Sequence, residues 1–212
     1  MKKGNHLQRY ILTLEELEKK YPTSEKIKKD LRLAKLGLKG EEEIEYELSH
    51  ANLGLYVLHD ITLQYEDLKA QIDYVVVSRG KVYLIECKNL LGNITINERG
   101  EFIRETDKKR EGIYSPLRQA QRHVEVLKKI WMAKSSMLDR FLVKEKFDQW
   151  YVPLVVVANP ASILQMKYAP KYVRDKVVRA DELTHYIQTD LAHTDRSLLS
   201  SQKKWKILLS GS

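Results

Sequence analysis

The chain has 212 residues, a formal net charge of +8, 43% hydrophobic and 31% charged residues, which suits one soluble globular domain with decoration and excludes a disordered or fibrous chain. The positive balance fits a polyanion partner. One cysteine excludes an intrachain disulfide and fits a reducing, cytoplasmic setting, no 18-residue apolar run is present, and the start, with no apolar h-region close behind it, is not expected to be a secretory signal.

In chain order, Thr13-x-x-Glu16 reads as a capping box opening a short helix, and Pro22-Thr23-Ser24 ends it. Ser24 then caps a longer helical pattern whose stripe holds Ile27, Leu31, Ala34, Leu38, Glu41, Glu45 and Leu48. Gly37 and Gly40 are expected to split it in two. Two carboxylates on an otherwise apolar stripe, Glu41 and Glu45, are the feature to follow. Residues 55–63 read as a first strand and 64–69 as a polar loop.

Two β-branched runs follow, 71–77 and 82–88, joined through Ser78-Arg79-Gly80-Lys81. Either a two- or a four-residue loop gives one register, in which Val77 faces Val82, Val75 faces Leu84 and Asp73 faces Glu86. Glu86, Lys88 and Asp73 then share a face. Opposed carboxylates about 5 Å apart repel, and burial raises the cost of both. A divalent cation removes that penalty, and hard oxygen donors suit Mg2+ or Mn2+. Cys87 points the other way and reads as a small core residue.

Residues 92–96 and 101–104 look like a second hairpin, and the charge-dense 105–113 like a loop. Ser115-Pro116 starts a helix with Leu117, Ala120, Val124, Leu127 and Trp131 on one face. Residues 152–158 read as a buried strand and Val177-Val178 as a short one. Asp181 is expected to cap a helix to about residue 188, and an amphipathic tail carries Leu198, Leu199, Trp205 and Leu208. The order predicts an α/β sandwich, a mixed sheet with helices on both faces.

Asp73 followed by Glu86-Cys87-Lys88 resembles the PD-(D/E)xK nuclease superfamily. Gly40-Glu41, Gln71-Ile72-Asp73, Ile85-Glu86-Cys87-Lys88-Asn89, Gly92 and Ser115-Pro116-Leu117-Arg118-Gln119-Ala120 are together similar to its nuclease-related domain (NERD) branch, over roughly residues 38–130 with weaker echoes to 190. The resemblance implies a restriction-endonuclease-like core over residues 38–190, an N-terminal helical extension over 1–37 and a helical tail over 191–212. It also implies a Mg2+- or Mn2+-dependent deoxyribonuclease. Asp73, Glu86 and the Cys87 backbone carbonyl would ligate the metal, with Glu41 as a further ligand or neighbour and Glu45 as its alternative. Lys88 would orient the water and stabilise negative charge, and Gln119 would orient the nucleophile or bind phosphate. Tyr74 stands where many members place a His, and from the opposite face it is expected to matter little for metal binding.

Lys108, Lys109, Arg110, Arg118 and Arg122 flank Gln119 in sequence and are candidates for a DNA groove. The six His residues show no zinc spacing, and His59-Asp60 reads as a strand-end pair. The rival function is a non-catalytic module that binds DNA or a protein on the same fold. The N-terminal helices are the candidate surface for a protein partner or a second copy.

Overall fold

The computed structural model describes residues 6–137, 140–141 and 146–194. Helices α1 (His6–Lys20) and α2 (Glu25–His50) form a hairpin that packs Ile11 and Leu14 against Leu31 and Ala34. Ser24 caps α2, its hydroxyl accepting from the Ile27 amide. Thr13 does not open a helix. It lies inside α1, its hydroxyl donating to the Arg9 carbonyl one turn back.

Glycine does not split α2 either, because Gly40 is there for a close approach rather than a break. A Cβ at Gly40 would stand 2.5 Å from Asn89 Cβ and 3.3 Å from Ala158 Cβ. The Asn89 amide donates to the Leu36 carbonyl at 2.5 Å from the same side. Gly40→Ala is therefore expected to cost about 1–3 kcal/mol by overpacking, read by urea denaturation. An unchanged midpoint would show that the helix moves off freely.

The main sheet runs in the order β1 (Tyr56–Tyr65), β2 (Leu68–Val77), β3 (Val82–Lys88), β7 (Tyr151–Val157), β9 (Val177–Arg179). The first three strands are antiparallel, and β3, β7 and β9 are parallel. Val77 pairs with Val82 and Val75 with Leu84 across a loop of residues 78–81, the expected register. That loop is tied by Ser78, whose hydroxyl both accepts from the Lys81 amide and donates to the Lys81 carbonyl. Flanked by β2 and β7, β3 is central and buried on both faces.

On one face Tyr74, Tyr83, Ile85, Leu154 and Val156 pack with Ile44 and Leu48 of α2 and with Leu183 and Ile187 of α6 (Leu183–Ala192). On the other, Val75, Val77, Val82 and Leu84 meet Val124, Leu127 and Trp131 of α3 (Pro116–Lys134). Each fully buried aliphatic or aromatic side chain contributes about 1.5–3 kcal/mol. Helices thus cover both faces of a mixed sheet, the restriction-endonuclease-like arrangement. A smaller sheet, β6 (Lys109–Ile113), β5 (Phe102–Thr106), β4 (Asn93–Ile96), β8 (Leu164–Gln165), packs Ile94, Ile96 and Phe102 against Val155, Val157 and Val177. Two short helices, α4 (Phe147–Trp150) and α5 (Lys171–Arg174), complete the core.

Three expected loops and caps differ. Residues 64–69 continue the β1–β2 ribbon to Tyr65↔Leu68; its tip is mostly exposed, so no apolar alternation marks it. Residues 105–113 form β6 and the end of β5 rather than a loop. Thr106 brackets the turn through hydrogen bonds with Lys109, and an exposed edge strand is charged rather than alternating. Asp181 caps nothing: it sits in a 3-10 turn (Ala180–Glu182) bonded to Arg179, and α6 starts at Leu183. The expected tail helix lies outside the described residues. Among those described, no helix is long and apolar enough to cross a membrane.

Candidate active site

A cavity of about 360 Å³ opens where β2 and β3 part. The paired register runs from Val77↔Val82 to Tyr74↔Ile85. One residue further, the Asp73 side chain takes over, its Oδ2 accepting from the Cys87 amide at 2.7 Å. The β1–β2 ladder is broken at the same level. Asp60 has φ +54 and interrupts the ladder between His59↔Tyr74 and Ile61↔Ile72. This left-handed conformation is uncommon for a residue with a side chain, though Asp tolerates it. It is held by the Gln71 side-chain amide and by the His6 backbone N–H, which donate to the two carboxylate oxygens.

Asp73, Glu86, Lys88, Glu41 and Gln119 all line this one cavity, with Gln71, Asn89 and, from α1, His6 and Leu7. Glu86 is 2% exposed. Its Oε1 accepts from the Lys88 ammonium at 2.5 Å, and the same ammonium donates to Gln119 Oε1 at 3.4 Å. Its Oε2 is sealed from solvent with no hydrogen-bond partner. Cys87 packs into the cluster on the opposite face, and burial, with Asp73 and Glu41 nearby, pushes its thiol well up, so it is inert.

The carboxyl groups are under strain. Burial and then the charge of Glu86 push Asp73 up to about 7, against the Cys87 N–H and Lys88, which pull the other way. Burial also raises Glu86, although Lys88 offsets part of it. One ammonium serves two acids, an electrostatic deficit of the kind that a divalent cation would fill. The donors are hard oxygens. Among the described residues no three His, Cys, Asp or Glu side chains gather into a cage, and Mg2+ does not require one, since one or two carboxylates with water complete its shell. The residues fit such an ion.

Glu41 reaches the cavity from α2, and its carboxylate is engaged: Oε2 lies 2.7 Å from His59 Nε2. The His59 ring stacks on Tyr74 at 4.6 Å, and the Tyr74 hydroxyl donates to the Glu41 carbonyl at 2.8 Å. Tyr74 faces away from Asp73, as expected, yet it pins the backbone that carries Glu41. Burial disfavours the His59 imidazolium, but the Glu41 hydrogen bond and charge, with Asp60 and Asp73, outweigh it and raise its pKa. Glu45 is not among the residues lining the cavity.

Two residues were missed by sequence reasoning. With Asp60, His59 reads in the sequence as no more than a strand end. His123 sits one helical turn after Gln119, beside Ala120 and Leu127 on the buried stripe of α3. A polar residue at core spacing was its signal. Burial, then Lys88 and Arg122, lower His123 to about 4, so its ring is neutral at physiological pH.

Arg118 and Arg122 are exposed on α3, the helix that delivers Gln119. Arg122 donates to the Tyr114 hydroxyl at 2.5 Å. Lys108, Lys109 and Arg110 lie at the β5–β6 turn and its start, outside the cavity lining, with Lys109 paired to Glu111.

Compared with known proteins, residues 36–158 match the nuclease-related domain (NERD) family. The match begins inside α2 and ends just past β7, so it spans Glu41, both acidic strands and α3. No curated protein and no solved structure matched the chain.

Proposed function

The chain belongs to the nuclease-related domain family, and on that premise we propose that it is a Mg2+- or Mn2+-dependent nuclease hydrolysing DNA phosphodiesters. The observation that carries this reading is the meeting of Asp73, Glu86 and the Lys88 ammonium in one cavity beneath Gln119. Asp73 and Glu86, with the Cys87 carbonyl, are the groups that would hold the cation. When bound, the cation supplies Lewis acidity on phosphate oxygen and lowers the pKa of water.

The chain's own residues do the rest. Lys88 places a positive charge where negative charge develops on the phosphoryl oxygens. Gln119 accepts from that ammonium through Oε1, which leaves its side-chain N–H groups for phosphate or water. Glu41, braced by His59 and Tyr74, adds a carboxylate from the α2 side of the cavity. Arg118 and Arg122, exposed on α3, would meet backbone phosphates, and Lys108, Lys109 and Arg110, at the β5–β6 turn and the start of β6, would add further phosphate contacts.

Purified protein incubated with plasmid and linear DNA tests this. Cleavage is expected with Mg2+ or Mn2+, to vanish with chelator, and to vanish in the Asp73→Ala/Lys88→Ala double variant. Retained cleavage by the double variant contradicts the proposal. DNA binding at low salt without cleavage by the wild type under any condition assigns the chain to non-catalytic binding instead.

A further inference from the structure

Behind the cavity, Glu86 and His123 confront each other across a narrow gap. His123 Nδ1 lies 3.9 Å from Glu86 Oε2, and their side chains are 7% and 2% exposed. Both atoms are sealed from solvent, and neither has a hydrogen-bond partner. Polar atoms buried this deeply are seldom left unpaired. A neutral imidazole carries its proton on one of two nitrogens. With the proton on Nε2, two lone pairs oppose each other across the gap. With it on Nδ1, they become donor and acceptor, and closing the gap by about 1 Å brings them to ordinary hydrogen-bond distance.

We propose that His123 is a positioning residue that donates Nδ1–H to Glu86 Oε2. Glu86 is then held at both oxygens, by Lys88 from the cavity side and by His123 from the α3 side. Its carboxylate plane is fixed before any cation arrives, as outer partners fix metal-binding groups elsewhere. The consequence for cation binding rests on the nuclease reading; the hydrogen bond does not.

The experiment has two arms, both on the full chain. Long-range proton–nitrogen NMR of the 15N-labelled protein in chelator reads the tautomer, and the His123 proton is expected on Nδ1. Calorimetric titration with Mn2+ then compares His123→Leu with His123→Asn, whose side-chain amide N–H stands where Nδ1–H stood. The Leu variant is expected to bind Mn2+ about 10–100-fold more weakly and the Asn variant to recover to within a few-fold of the wild type. A merely structural role would not produce that rescue. A proton on Nε2 overturns the proposal, as does a Leu variant binding like the wild type or a folded Asn variant as weak as Leu. If the Leu variant does not fold, the tautomer still decides. If the wild type shows Nδ1–H but takes no Mn2+, the hydrogen bond stands and the nuclease reading falls.

Discussion

Replacing Lys88 with methionine is expected to lower DNA cleavage at saturating Mn2+ by about 10²–10³-fold, the loss typical of removing one preorganised donor to developing negative charge. Mn2+ affinity is expected to hold or to rise. The reason is geometric: the Lys88 ammonium sits 2.5 Å from Glu86 Oε1 and so would compete with a cation for that oxygen. Methionine keeps the length and the apolar stem, so the half-buried side chain still fills its place. The signature is a split between turnover and binding, measured by initial rates on labelled duplex and by Mn2+ calorimetry on the same samples. A parallel loss of both would mean that Lys88 builds the cation site rather than acting on the phosphate.

Asp73→Asn is expected to stabilise the chain in chelator by about 2 kcal/mol at pH 8 while ending cleavage. Asn keeps the oxygen that accepts from the Cys87 amide and deletes the charge that burial and Glu86 oppose. The sign follows from linkage. A carboxyl held at about 7 in the fold, against about 3.8 unfolded, costs stability increasingly as the pH rises above 3.8, and in full once it exceeds 7. That cost is relieved as the pH falls through 7 toward 4. The stabilisation by Asn is therefore largest at pH 8 and fades by pH 4.5, and it is smaller than the full linkage because the half-buried side chain still meets solvent. Urea denaturation at both pH values measures it. Equal destabilisation at both would mean that Asp73 is a structural hydrogen-bond acceptor and nothing more. Stability given up at a functional site is a common pattern in proteins.

Much of the site was legible because strand geometry is strict. A period of two and a short loop left one register for β2 and β3, and the pairs Val77↔Val82 and Val75↔Leu84 follow it. The α3 face was equally clear, and Leu117, Ala120, Val124, Leu127 and Trp131 are all buried. What stayed hidden depends on neighbours distant in the chain. Gly40 looked like a helix breaker because nothing local reveals that Asn89 and Ala158 press against it. Ile44 of α2 is fully buried yet falls off the stripe that runs through Glu41 and Glu45. In the sequence His59 reads only as a strand end and His123 only as one more residue of α3, since a histidine shows its role through the carboxylate it meets, and Glu41 and Glu86 are 18 and 37 positions away in sequence. Strand β6 was lost because charge on an exposed edge imitates a loop.

In the proposed site Asp73 and Glu86 share a single cation, and a crystal of the wild-type chain soaked in Mn2+ examines that directly. One anomalous difference peak is predicted within bonding distance of a carboxylate oxygen from each, with the Lys88 ammonium moved off Glu86 Oε1 or sharing it. A peak bound elsewhere, or none at either carboxylate in a well-soaked crystal, would contradict it.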